Sequence, residues 1–111
     1  MIKMARKYGI EKYGPNRYHI VTAKMGFHGR TFGAMSATGQ PGNGCQVGFG
    51  PMTYGFSYAP YNDLQAFKDA CTENTIAIMV ELYRARVAYI LQQWNSCRDF
   101  VNSVMITICF F

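Results

Sequence analysis

Three residues of this sequence carry side chains that suit a ligand site: His28, Arg30 and Glu81. An imidazole exchanges a proton near neutral pH, so His28 could act as an acid or a base. The planar guanidinium of Arg30 could bind a carboxylate through two parallel hydrogen bonds. Glu81 follows the apolar run Thr75–Val80, and α/β proteins gather their sites at strand ends. Each side chain also has a purely structural interpretation: His28 as a wall residue, Arg30 as a surface cation and Glu81 as a solvated carboxylate.

The sequence lacks the spacing of a zinc site, the pattern of a phosphate-binding loop and the features of a signal peptide. The four cysteines form no C-x-x-C pair, and together with the two histidines they give no plausible zinc set. The segment Gly39–Gly55 is rich in glycine but lacks both phosphate-binding patterns, G-x-x-x-x-G-K-[ST] and G-x-G-x-x-G. The N-terminus lacks the apolar core of a signal peptide. We therefore expect free thiols in a reducing, cytoplasmic compartment.

Composition limits the class of protein. The chain has 111 residues, of which 50% are hydrophobic and 15% charged, so it is too apolar for a disordered chain and fits one small domain. No apolar stretch has the length that a membrane span needs, so no membrane partner is expected. The net charge is +5, and Lys3, Arg6 and Lys7 form the only basic cluster. Their helical spacing predicts a solvated helix face, and the alternative is a small basic nucleic-acid-binding module.

The order of the predicted elements indicates an α/β fold. Gly9 is predicted to end the first helix, and Asn62 or Asp63 to cap the third. The continuous apolar run near residue 80 is typical of a strand that is buried on both faces of a parallel sheet. In chain order we predict a helix over Met1–Tyr8, a strand over Tyr18–Ala23, a short helix over Thr31–Thr38, a strand over Phe56–Ala59, a helix with Leu64, Phe67 and Cys71 on one face, and a strand over Thr75–Val80.

The composition changes abruptly after Glu81. Leu82–Phe111 contains no Gly and no Pro, and it ends in the apolar, β-prone run VMITICFF. One interpretation is a buried helix followed by a terminal strand. The abruptness of the change calls for a second interpretation.

Several strings of the sequence, taken in order, resemble the class III pyridoxal-phosphate-dependent aminotransferases, and most closely those of the acetylornithine type. The resemblance covers Met1 to Glu81. The matching strings are ARKYG at Ala5–Gly9, KYGPNRYHIVTA at Lys12–Ala23, FHGRT at Phe27–Thr31, SATGQP at Ser36–Pro41, GFGP at Gly48–Pro51, PYNDL at Pro60–Leu64 and TENTIAIMVE at Thr72–Glu81.

The resemblance implies a fold, a reaction and site residues. The fold would be part of the large domain of a fold-type I transferase, in residues 1–81, and not an independent, fully stable unit. The reaction would move an amino group between N-acetylornithine and 2-oxoglutarate in arginine biosynthesis. The cofactor, pyridoxal 5′-phosphate, would lie against the ring of Phe27, with His28 and Glu81 beside it, and Arg30 would bind the α-carboxylate of the amino-acid substrate. The parent enzyme would be a homodimer.

The same resemblance implies that this chain alone is inactive. In the family, the phosphate-binding segment lies before the matched strings, and the Asp that pairs with the cofactor nitrogen and the covalently bound lysine lie after them. Lys24 and Lys68 do not fall in the lysine motif. A truncated chain that docks on a full-length aminotransferase is a further alternative.

A one-base shift would explain the segment after Glu81. In the family, P-[IV]-Q-G-E-G-G-V follows this glutamate. One set of permitted codons for Leu82 onward, with a single C restored before it, reads PIQGEGGVYPATVEFLQGLRE. The hypothesis is that Leu82–Phe111 is a frameshifted tail.

Overall fold

A computed structural model describes residues 1–40 and 45–81, together with the backbone of 105–109. In this part of the chain three helices alternate with four strands, so the predicted α/β class is confirmed. The helices are α1 (Ile2–Tyr13), α2 (Phe32–Ala37) and α3 (Leu64–Ala70), and the strands are β1 (His19–Ala23), β2 (Phe56–Ala59), β3 (Thr75–Glu81) and β4 (Met105–Cys109).

The strands form one parallel sheet in the order β2-β1-β3-β4. Strand β3 has all seven of its residues buried, as its continuous apolar sequence predicts. The side chains of a strand point alternately to its two faces, and both faces of this sheet are covered. On one face Phe67 of α3 packs against Val21, Ile78 and Val80. On the other, Ala5 of α1 and Ala37 of α2 pack in a second cluster with Ile20, Ala77 and Met79.

Helix α1 does not end at Gly9, so that prediction is wrong. The helix runs on to Tyr13, and Gly9 lies buried inside it. A Cβ atom at this position would lie 2.1 Å from the carbonyl oxygen of Arg17 and 2.8 Å from Cγ1 of Ile76. Glycine is present here because the helix packs closely against the sheet, and a packing glycine looks the same in the sequence as a stop signal. The helix ends before Gly14, which has φ 103°.

Helix α3 begins at a side-chain cap, and the structure decides between the two predicted candidates. Oδ1 of Asp63 accepts a hydrogen bond of 2.9 Å from the backbone N–H of Ala66. Asn62 instead adopts φ 62° in the turn before the cap. The cap fixes the start of the helix and so aims Phe67, 1% exposed, into the core.

The order of the strands creates a switch point between β1 and β3. From β1 the chain moves to β2 on one side of it, then crosses to β3 on the other side. In an open α/β sheet, a crevice forms outside the carboxyl ends of two such strands, and ligands bind there. Ala23 and Glu81 are the last residues of β1 and β3, so the loop 24–31 and the side chain of Glu81 meet at this place.

After Glu81 the structure describes only the backbone of strand β4. Strand β4 pairs in parallel with β3, and Met105 lies opposite Ala77 and Cys109 opposite Glu81. A terminal strand is one of the two interpretations made from the sequence. The helix predicted before it lies outside the described residues, and the frameshift hypothesis stays a prediction. None of the helices that the structure describes is long and apolar enough to cross a membrane.

Candidate functional site

A hydrogen bond across the switch point joins two of the predicted site residues. The backbone N–H of Phe27 donates to Oε1 of Glu81 over 2.8 Å. The Glu81 residue is 8% exposed, so the carboxylate is not the solvated strand-end group that was one of its two interpretations. The loop after β1 is thereby attached to the end of β3.

Phe27 and Arg30 form an exposed pair above this attachment. The Phe27 residue is 45% exposed, although it is large and apolar. The guanidinium carbon of Arg30 lies 5.8 Å from the centre of its ring, within the range of a cation–π contact. An accessible aromatic ring and an accessible guanidinium therefore stand together at the carboxyl edge of the sheet.

His28 is placed differently from its two neighbours. The residue is 9% exposed and packs against the loop backbone, because a Cβ at Gly26 would lie 3.1 Å from its Nε2 atom. The imidazole therefore belongs to the wall beside the site, while Phe27 and Arg30 present their side chains at the surface.

The first half of the loop after β1 is supported by the segment that follows α2. The side-chain amide of Gln40 donates to the carbonyl oxygen of Gly26 over 2.9 Å, and the backbone N–H of Met25 donates to the carbonyl of Gly39 over 3.2 Å. Gly39 has φ 62°, and a Cβ there would lie 3.0 Å from the Ala23 carbonyl oxygen. The string SATGQP is the sequence signal of this support, although no role was predicted for its residues.

Tyr61 supports the site from the end of β2, a role for which its place in PYNDL is the only sequence signal. Its hydroxyl donates a hydrogen bond to the backbone carbonyl of Glu81. Tyr61 comes two residues after Ala59, the last residue of β2, so the ends of all three strands β2, β1 and β3 are linked.

The predicted basic helix face exists only in part. Lys3 and Lys7 are exposed, as predicted, but Arg6 is half-buried. Its Nη2 atom donates to the carbonyl oxygen of Tyr54 over 2.6 Å, and its guanidinium lies 4.8 Å from the ring centre of Phe56. Burial lowers the pKa of Arg6, an effect that the nearby tyrosines partly offset. The structure gives no support to a nucleic-acid-binding surface here, because Arg6 serves the packing of α1.

The described residues include two cysteines and no metal-ligand group. Cys45 and Cys71 are free thiols, and burial raises the pKa of the Cys71 thiol. Cys97 and the side chain of Cys109 lie outside the described residues. Across residues 1–40 and 45–81 no group of three or more His, Cys, Asp or Glu side chains could hold a metal ion.

Comparison with known families identifies a match over most of the chain. The model of the family described as aminotransferase class-III matches residues 1–91, and so reaches past Glu81. The acetylornithine aminotransferase of Caldanaerobacter subterraneus subsp. tengcongensis is 53% identical over 81 residues, which are 73% of this chain and 20% of that protein. The acetylornithine aminotransferase of Listeria monocytogenes is 49% identical over 85 residues, 76% of this chain and 20% of that protein. The chain thus spans about a fifth of the length of these relatives.

Solved structures share the fold. The ornithine aminotransferase from Toxoplasma gondii superposes with a TM-score of 0.80 over 96% of this chain and 27% of its own, at 23% identity. An (S)-enantioselective omega-transaminase from Thermomicrobium roseum gives the same TM-score over 96% of this chain and 29% of its own, also at 23% identity. At this identity the superposition establishes the fold and nothing further.

Proposed function

The chain belongs to the class III aminotransferases, and we propose that it forms part of the large domain of an acetylornithine-type enzyme. The proposed reaction transfers an amino group between N-acetylornithine and 2-oxoglutarate, as a step of arginine biosynthesis in the cytoplasm. The identity to two acetylornithine aminotransferases supports this substrate class.

The observation that carries the proposal is the exposed pair of Phe27 and Arg30 at the β1/β3 switch point. A flat aromatic cofactor needs a ring face to lie against, and Phe27 is 45% exposed. An amino-acid substrate needs a cation for its carboxylate, and the guanidinium of Arg30 lies 5.8 Å from the centre of that ring. These two groups fit one face of pyridoxal 5′-phosphate and one end of its substrate.

Each residue then has a defined task. Pyridoxal 5′-phosphate, when bound, supplies the electron-withdrawing ring on which amino-group transfer depends. Phe27 would orient that ring by stacking, and Arg30 would hold the substrate α-carboxylate by paired hydrogen bonds. His28 would close the wall of the site, and Glu81 would lie at the base of the loop that carries the other three.

We further infer that these 111 residues alone do not transaminate. The family resemblance assigns the covalently bound lysine, the Asp at the cofactor nitrogen and the phosphate-binding segment to parts of the enzyme outside the matched strings. We expect the purified chain to give no change in the absorbance of added pyridoxal 5′-phosphate and no turnover of N-acetylornithine. Clear turnover would contradict this inference. The complete enzyme would be a homodimer.

The domain division is part of the same proposal. Residues 1–81 would be the large-domain part, and residues 82–111 a frameshifted tail without a role in the site. The family match to residue 91 and the pairing of β4 with β3 are two findings that a genuine tail would explain and that a frameshifted tail has to accommodate.

A chimaera tests the function directly. Residues 1–81 of this chain would replace the corresponding segment of the Caldanaerobacter acetylornithine aminotransferase, which is 53% identical to this chain over 81 residues. We expect the chimaera to transaminate N-acetylornithine with 2-oxoglutarate, because this segment supplies Phe27, His28, Arg30 and Glu81. A chimaera that folds, by circular dichroism and size-exclusion chromatography, but has no transaminase activity would contradict the proposal.

A further inference from the structure

We propose that Glu81 and Tyr61 are positioning residues, which fix the backbone of Phe27 and so the place of the exposed ring and of Arg30. Glu81 would act by accepting the Phe27 N–H, and Tyr61 by holding the end of β3 that carries Glu81. The proposal rests on the proposed function, because the surface that is positioned is the one assigned to cofactor and substrate.

The burial of Glu81 is the first observation behind the proposal. A carboxylate that ends a strand at the sheet edge has water available, yet this residue is only 8% exposed. Removing a carboxylate from water is unfavourable unless hydrogen bonds replace the lost hydration. The Phe27 N–H supplies one such bond at 2.8 Å, and a bond to an ionised acceptor is stronger than one between neutral groups.

The second observation is that side-chain packing holds Phe27 only in part. Phe27 is 45% exposed, so the core does not enclose its side chain. Gly26 precedes it and Gly29, with φ 116°, follows it, so the backbone on both sides is conformationally permissive. Gln40 holds the carbonyl of Gly26, and the attachment of the Phe27 N–H to Glu81 extends this support to the next residue of the loop.

The third observation is the contact between Phe27 and Arg30. Because the guanidinium of Arg30 lies 5.8 Å from the Phe27 ring centre, a shift of the Phe27 backbone would move both binding groups. The hydrogen bond between the Phe27 N–H and Glu81 thus determines the positions of both the Phe27 ring and the Arg30 guanidinium.

Tyr61 extends the attachment to the end of β2. Its ring packs on the core cluster of Val21, Phe67 and Ile78, and its hydroxyl donates to the Glu81 carbonyl. The Glu81 backbone is held by Tyr61 while its side chain holds Phe27. Neither residue has to touch cofactor or substrate for this task.

Amide NMR spectra of the full 111-residue chain test the contact without any cofactor. We expect Glu81→Gln to shift the resonance of the Phe27 amide proton, because the acceptor of its hydrogen bond changes from a carboxylate to a neutral amide oxygen. The matched control is Glu73→Gln, at an exposed glutamate, which should leave that resonance unchanged. A Phe27 amide that is unaffected by Glu81→Gln, while the signals of β1 and β3 are retained, would overturn the proposal.

Hydrogen exchange on the unaltered chain covers the case in which a variant does not fold. We expect the Phe27 amide to be protected from exchange although its residue is exposed. If it exchanges as fast as an unstructured peptide while the β1 and β3 amides are protected, the proposal is wrong. Tyr61→Phe should reduce the protection of Phe27 without abolishing it.

The chimaera supplies the functional readout. Glu81→Gln should raise the pyridoxal 5′-phosphate concentration for half-maximal activity about tenfold, and Glu81→Ala by more, because glutamine retains an acceptor oxygen. Glu73→Gln should leave it unchanged. An active chimaera that is insensitive to Glu81→Ala would overturn the positioning role. The chimaera could be inactive while Glu81→Gln still shifts the Phe27 amide resonance in the 111-residue chain. That result would overturn the proposed function and support the contact itself.

Discussion

Phe27 and Glu81 are 54 residues apart in the chain, yet the backbone N–H of the first donates to the carboxylate of the second over 2.8 Å. The contact exists because β1 and β3 are parallel neighbours, so the loop after one and the last residue of the other meet at the same edge. It places an aromatic ring, a guanidinium and a buried carboxylate at the β1/β3 switch point. The proposed site of the parent enzyme lies at this switch point.

The role of Arg30 can be tested by a conservative substitution. In the chimaera, Arg30→Lys should raise KM for the amino-acid substrate by about ten- to a hundredfold with a smaller effect on kcat, because an ammonium does not bind a carboxylate in the paired geometry. Steady-state kinetics measure both constants. Lys3→Arg on the exposed face of α1 is the control, and an unchanged KM in Arg30→Lys would refute the assignment.

The packing of Gly9 predicts a large loss of stability from a small substitution. In Gly9→Ala the new Cβ would lie 2.1 Å from the Arg17 carbonyl oxygen, so the helix must move away from the sheet. We expect a loss of about 1–3 kcal/mol in the free energy of unfolding, measured by urea denaturation. Gly33→Ala in α2 is the matched control, since a Cβ there would meet nothing within 4 Å. The control should stabilise the chain by about 0.5–1 kcal/mol, and equal effects of the two changes would contradict the packing.

The Asp63 cap of α3 predicts a moderate loss of stability when its side chain is removed. Asp63→Ala removes the acceptor of the Ala66 N–H and should cost about 1 kcal/mol, again by urea denaturation. Asp69→Ala, in the last turn of the same helix, removes only an exposed hydrogen bond from Gln65 and should change stability by a few tenths of a kcal/mol. A larger loss from Asp69→Ala than from Asp63→Ala would show that Asp63 does not cap the helix.

His19 predicts a pH dependence of stability. Its Nδ1 lies 2.7 Å from Oγ1 of Thr75 and its Nε2 2.9 Å from Oγ of Ser57, so the imidazole links β1 to both neighbouring strands. Burial, and then the charge of Arg6, lower the pKa of His19 below its ordinary value of 6.5. The folded chain therefore binds this proton less readily than the unfolded chain does. The neutral imidazole of His19 therefore stabilises the folded chain fully above pH 6.5, and this contribution is lost as the pH falls through the lower, folded-state pKa.

The measurement for His19 is the difference between the unaltered chain and His19→Gln. Urea unfolding free energies from pH 7.5 down to 5 should converge as the pH falls, because only the unaltered chain loses the contribution of the neutral imidazole. Both chains share every other titrating group, which removes their effect from the difference. A difference that stays constant, or that grows toward low pH, would contradict the sign.

The elements with strong local signals were predictable from the sequence. The apolar run Thr75–Val80 predicted a strand buried on both faces, which the structure extends by one residue to Glu81, and β2 was predicted with the bounds that the structure has. Local sequence could not distinguish Gly9 as a packing residue from Gly9 as a helix end, because Arg17 and Ile76 decide it. Likewise the helical spacing of Arg6 placed it in solvent, while Tyr54 and Phe56 draw it into the packing.

The candidate site residues could be named from the sequence, but their connections could not. The string FHGRT singled out Phe27, His28 and Arg30 as candidates, and the strand end singled out Glu81. Their assignment to cofactor and substrate stays a prediction. That the carboxylate would accept the Phe27 N–H depends on the pairing of β1 with β3, which no local pattern specifies. The contribution of Tyr61 depends in the same way on β2 lying on the other side of β1.

We propose that residues 1–81 are part of an aminotransferase whose remaining site residues are encoded beside them. The first measurement to make is the nucleotide sequence upstream of the Met1 codon and downstream of the Glu81 codon. We expect one restored base to open P-I-Q-G-E-G-G, followed by the family's motifs for the Asp at the cofactor nitrogen and for the covalently bound lysine. If no reading frame continues the family pattern, the proposal is contradicted, and Leu82–Phe111 is a genuine part of this chain.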